Sequence, residues 1–131
     1  MEHSVIRGVT DANTLIEHGA NCAVSTNNVL NPFTPYGDCS LVRMVNLYAN
    51  IVQRYGTRDL AVCFDMITAR AAALMRVDDY GIELGKAADL AVWDAASGAD
   101  IVAKIALPLC GFKRGRKIFS RAAPTLHRST E

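Results

Sequence analysis

Ser25-Thr26-Asn27-Asn28-Val29-Leu30-Asn31-Pro32-Phe33-Thr34-Pro35 is the stretch on which the reading of this chain turns. The apolar run Cys22-Ala23-Val24 leads into it, and an amphipathic segment from Ser40 to Tyr55 leads away. Small polar side chains at the end of a buried strand, then a proline-anchored loop, then a helix: active sites of α/β proteins are assembled in this way. Residues 21–25 are therefore expected to form a short buried strand, and 26–37 a loop.

On either side the elements follow from spacing and capping. Thr10 is a plausible N-cap for a helix whose apolar side holds Leu15 and Ile16, with Gly19 at its stop. Asp38 or Ser40 can cap the next helix, where Leu41, Met44, Val45, Tyr48, Ile51, Val52 and Tyr55 recur at helical spacing until Gly56. Thr57 or Asp59 opens a third, running to about Arg76. Beyond Asp79 comes a turn-rich connector and then a strand within 88–94. A short helix follows near 100–105. Two strands, 107–112 and 117–120, join through Lys113-Arg114-Gly115-Arg116, a hairpin turn with glycine available for positive φ. The tail 122–131 is expected to fray.

The 131 residues suffice for one domain or part of one, and half of them are hydrophobic, which argues for an ordered globular chain rather than a disordered one. A net charge of +1 marks out neither nucleic acid nor an acidic membrane as partner. No basic-then-apolar leader and no run of about 20 apolar residues is present, so a cytoplasmic chain is expected. Cys22, Cys39, Cys63 and Cys110 form no CxxC pair and read as reduced thiols. His3, His18 and His127 are far apart in sequence, so no zinc-site spacing occurs. The basic group Lys113, Arg114, Arg116, Lys117 and Arg121 reads as a solvated hairpin tip.

Two further patterns matter. Gly81-x-x-x-Gly85-x-x-Ala88-Asp89-Leu90-x-x-x-Asp94 lies after a helix containing Thr68-Ala69-Arg70-Ala71-Ala72. With Ser25–Pro35, in this order and spacing, they resemble the cytosine deaminase branch of the metal-dependent amidohydrolases. The resemblance runs from His18 to about Asp100. It implies an α/β fold: residues 1–78 as the C-terminal portion of a TIM-like barrel (last strand plus flanking helices), and 79–121 as strands of the small β-sandwich.

It also implies a chemistry. In that family a metal-bound water attacks a ring carbon bearing an exocyclic nitrogen, and an Asp on the last strand moves the protons. Asn27 falls on that Asp, Asn28 on a second Asp that helps hold the ring, and Phe33 on an aromatic that lines the pocket. An amide cannot take a proton near neutral pH, which should remove roughly 10²–10⁴-fold of rate. Whether Asn27 belongs to a subgroup reading S-[ST]-N-N-V-L-N-P-F-T-P or records a loss stays open. So does the plainer reading of Asn27, Asn28 and Asn31 as Asx-turn residues before Pro32.

The family's His-x-His pair and its middle-strand ligands have no counterpart here. The chain is thus expected to be a C-terminal piece of a larger enzyme. No metal is expected in the isolated chain, and a divalent ion (Zn or Fe) only in a complete parent. Its partners would be a missing N-terminal barrel half or further copies of itself, and in the parent a small heterocycle. The alternative is a non-catalytic subunit that completes a barrel in trans or self-associates. A basic RNA-binding module is a third reading.

Overall fold

The computed structural model describes residues 8–122, 124, 125 and 127. The expected frayed tail therefore falls largely outside the described residues. Helices α1 (Ala12–Glu17), α2 (Leu41–Ile51), α3 (Thr57–Met66) and α4 (Ala69–Leu74) precede strand β1 (Leu90–Trp93). Helix α5 (Gly98–Lys104) and strands β2 (Pro108–Lys113) and β3 (Arg116–Ser120) complete the order.

The chain divides into two compact units. One holds the chain up to Asp78 together with Ala95–Ala106, and the other holds Asp79–Asp94 together with the chain from Leu107. Helix α5, which lies within the sequence division 79–121, packs with the first unit.

The first unit is helical, and its caps are readable in sequence. Asp11, one residue after the expected Thr10, caps α1 by accepting the Thr14 N–H at 3.2 Å. Gly19, at φ 89°, closes it while Ala20 N–H reaches back to Leu15 O. Ser40 caps α2 through Arg43 N–H. That helix ends four residues before Tyr55, because Gln53 turns left-handed at φ 57° and Arg54 N–H bonds Ala49 O.

The helix expected over 57–76 is two. Thr68 Oγ donates to Phe64 O at 2.8 Å, and the β-branched pair Ile67-Thr68 leaves the helical backbone between α3 and α4. Val45, Tyr48 and Ala49 of α2, Cys63 and Met66 of α3 and Val102 of α5 form the core. Gly98 permits the close approach of α5 to α3, since a Cβ there would stand 2.7 Å from Phe64 Cγ.

The buried strand expected at 21–25 is not formed. Cys22 and Val24 do pack against the core. Among the described residues, however, Val24 N–H to Met66 O, 3.2 Å, is the one backbone hydrogen bond within 21–25. A strand exists only by virtue of a neighbouring strand, and among the described residues none lies beside this segment.

The second unit carries a three-stranded antiparallel sheet in the order β1-β2-β3. Leu90 faces Phe112 and Val92 faces Cys110, while Lys113 faces Arg116. Arg114 and Gly115, both at positive φ, make the two-residue hairpin turn. Asp89 fastens that turn by pairing with Lys113 Nζ and accepting Arg114 N–H. Among the described residues no helix is long and apolar enough to cross a membrane.

Candidate functional site

The Ser25–Pro35 stretch forms a tight loop. Asn31 makes it: its Oδ1 accepts Phe33 N–H at 3.0 Å and Thr34 N–H at 2.9 Å, an Asx turn around Pro32. Its Nδ2 donates to Asn28 Oδ1 at 2.7 Å. Thr26 Oγ donates to Asn28 O at 3.3 Å, so the backbone curls back before Val29.

This loop and one face of α2 enclose an open pocket of about 580 Å³. Ser25, Thr26, Asn27 and Asn28 line one side, and Arg43, Met44, Asn46, Leu47 and Asn50 the other. Gly37 lets the walls meet: at φ 116°, its place for a Cβ lies 3.2 Å from both Arg43 Nη2 and Val29 Cγ1. Arg43 is held at the rim by Asp38, with Nε to Oδ1 at 3.1 Å. The Ser40 N–H bonded to Asp38 lowers that carboxyl from its usual range, and the Arg43 charge lowers it further.

Each predicted residue has a definite place. Asn27 is exposed on the pocket wall, and its amide has no hydrogen bond among the described residues. Asn28 lines the same wall but spends its carbonyl on Asn31. Phe33 is 85% exposed and stands off the lining, where Tyr36 supplies the aromatic surface. The loop therefore brings Asn27 and Asn28 together and leaves Phe33 out.

Sequence reasoning missed Arg43, Asn46 and Asn50. They share a face of α2 at i, i+3 and i+7, and that polar spacing within an apolar helix was the available signal. Asn46 Nδ2 anchors the wall to Val102 O at 2.9 Å, and Asn50 Nδ2 donates to Asn46 O at 2.8 Å.

The pocket does not fit a divalent metal. It offers amides, hydroxyls, the single thiol of Cys39 and a guanidinium whose charge opposes a cation. Among the described residues no three His, Cys, Asp or Glu side chains come together as a ligand set. The wall can bind and orient a polar ring; nothing on it can accept a proton from water near neutral pH.

Known proteins share both sequence and fold with this chain. It is 31% identical over 105 residues to N-isopropylammelide isopropyl amidohydrolase of Pseudomonas sp. (strain ADP), across 79% of this chain and 26% of that one. The structure of 5-methylcytosine deaminase from Klebsiella pneumoniae with 5-fluorocytosine matches with a TM-score of 0.84 at 27% identity, covering 92% of this chain and 29% of that one. N-isopropylammelide isopropylaminohydrolase from Burkholderia multivorans ATCC 17616 matches with a TM-score of 0.64 at 26% identity, over 69% of this chain and 23% of that one. The chain thus spans about a quarter of the length of the curated relative it matches. The family model for the "Amidohydrolase family" matches residues 2–119, nearly the whole sequence. An α/β chain with this match belongs to the amidohydrolase family.

Proposed function

We propose that this chain is the C-terminal share of an amidohydrolase that hydrolyses C–N bonds of cyclic amidine or triazine-type rings, and that it has no turnover alone. The observation that carries the reading is a pocket wall lined by the amides of Asn27 and Asn28, with no metal-ligand set among the described residues, in a chain that matches under a third of a deaminase. Asn27 stands where the family resemblance puts the proton-moving Asp. Its free amide would orient the ring or a water, and Asn28 would hold the ring edge. Phe33, exposed on the loop, would offer a stacking face once a complementary chain part covers the pocket. A barrel portion in residues 1–78, sandwich strands in 79–121 and a divalent metal supplied with the missing part complete the proposal.

The test is release of ammonia or amine from cytosine and N-isopropylammelide by the purified chain, with and without Zn²⁺ or Fe²⁺. No release is expected, while NMR titration with cytosine should shift the side-chain amide signals of Asn27 and Asn28. Robust metal-dependent release by the chain alone would overturn the reading. A second reading, a non-catalytic subunit, is favoured by the open backbone of residues 21–25, which can pair with a strand from another chain.

A further inference from the structure

The pocket between the Ser25–Pro35 loop and α2 carries charge of one sign. Among the described residues, Arg43 is the one charged side chain on its lining. The Arg43 Nε is held by Asp38 Oδ1 at 3.1 Å, and the same oxygen accepts the Ser40 N–H at 3.0 Å. Asp38 is thereby pinned at the start of α2, off the lining. The other end of the guanidinium is uncommitted: Nη1 and Nη2 make no hydrogen bond among the described residues. Gly37 leaves room for that end, since a Cβ there would stand 3.2 Å from Nη2.

The neighbouring amides add donors. Asn28 Oδ1 already accepts Asn31 Nδ2 at 2.7 Å, and Asn46 Oδ1 accepts Asn50 Nδ2 at 3.1 Å. Asn28 Nδ2 and the whole Asn27 amide bond to nothing among the described residues. The lining thus presents a fixed positive charge and spare N–H groups, with no carboxylate to oppose them. Tyr36, Met44 and Leu47 supply apolar surface for the faces of a flat ring.

We infer that this pocket selects its ring in anionic form, an oxo-heterocycle that has lost an acidic imide proton, with Arg43 as the specificity-determining residue. The inference rests on the ring-hydrolase reading above and narrows its substrate class. Loss of an imide proton to water spreads the charge over the ring nitrogen and the oxygens beside it, which sets acceptors side by side. Nη1 and Nη2 are a planar pair of donors suited to such an edge. The amides of Asn27 and Asn28 bond elsewhere on the ring. A neutral aminopyrimidine offers this end of Arg43 no charge, and a cationic ring is repelled. Asp38 is a positioning residue that fixes the guanidinium by its Nε edge.

The test is calorimetric titration of the full chain at neutral pH with barbiturate, an imide ring ionised there, and with cytosine, which is neutral. Barbiturate should bind at least about ten-fold tighter, as a charge-assisted pair of hydrogen bonds allows. Arg43→Gln should abolish that preference and leave cytosine affinity unchanged. Arg43→Lys keeps the charge without the planar pair, and its preference should fall between the two. Arg43 is partly exposed, and circular dichroism checks that both variants fold. Equal affinity for the two rings, or a preference that survives Arg43→Gln, overturns this inference, while cytosine binding still supports the ring-hydrolase reading. Failure of both rings to bind overturns both. Inorganic sulfate bound as tightly as barbiturate overturns the inference in favour of a bare anion site.

Discussion

Tyr48 and Asn13 are bonded to each other twice: Tyr48 Oη donates to Asn13 Oδ1 at 2.8 Å and accepts the Asn13 N–H at 3.0 Å. Asn13 is the buried polar residue among the described residues, 2% exposed. The pair ties α1 to α2 from 35 residues away. Burial pushes the Tyr48 hydroxyl upward from its ordinary value, which keeps it protonated as the donor. Tyr48→Phe strands the Asn13 backbone N–H in the core, leaves its side-chain carbonyl only the weak Cys63 thiol donor, and should cost about 1–3 kcal/mol in urea unfolding. An unchanged midpoint would show that water replaces the hydroxyl.

Arg54 gathers the acids around the same corner. Its Nη2 lies 2.7 Å from Asp11 Oδ2, and that hydrogen bond, more than any other contact, holds the Asp11 carboxyl down from 3.8 to about 2. A carboxyl lowered in the folded state adds stability above its unfolded value, and that stability is lost as pH falls through the folded one. Acid destabilisation between about pH 4 and about pH 2 should therefore be steeper in the native chain than in Arg54→Ala, read from urea midpoints across that window.

The close approach of α5 to α3 rests on a missing side chain. Gly98→Ala improves helix propensity but drives a methyl into the base of the Phe64 ring, 3.1 Å from its Cβ. Overpacking outweighs propensity here, and a net loss of about 1–3 kcal/mol is expected by calorimetry.

The thiols should react in order of access. Cys39, exposed on the loop before α2, should alkylate first, and Cys63, fully buried, last. Burial pushes the Cys63 thiol from 9.0 to about 11. Its contribution to stability is complete below about pH 9 and is lost as pH rises toward 11. Mass-resolved alkylation kinetics check the order, and labelling of Cys63 at the rate of Cys39 would refute it.

Asn27→Asp tests the loop directly. The native amide makes no hydrogen bond among the described residues, so the thermal midpoint should move by less than about 0.5 kcal/mol equivalent. No ammonia release should appear in the isolated chain, because one carboxylate does not make a metal site.

Much of this was legible in one dimension, for a physical reason. Ser40 capping α2, Gly19 ending α1, the Arg114-Gly115 turn and the Asn31 Asx turn are all settled by groups a few residues apart, and such groups leave their mark in spacing and residue type. The family resemblance was legible too, because its motifs lie in a fixed order along the chain. Residues 21–25 had the composition of a strand, but a ladder needs a neighbour, and composition cannot provide one. The break at Ile67-Thr68 was decided by a hydroxyl competing for Phe64 O within packed helices. Asn27 and Asn28 lay in the quoted stretch, yet only the fold of the loop against α2 sets them opposite Arg43, Asn46 and Asn50 and leaves Phe33 outside. Those placements depend on contacts between segments distant in sequence, and such contacts are fixed by the packing of the whole unit.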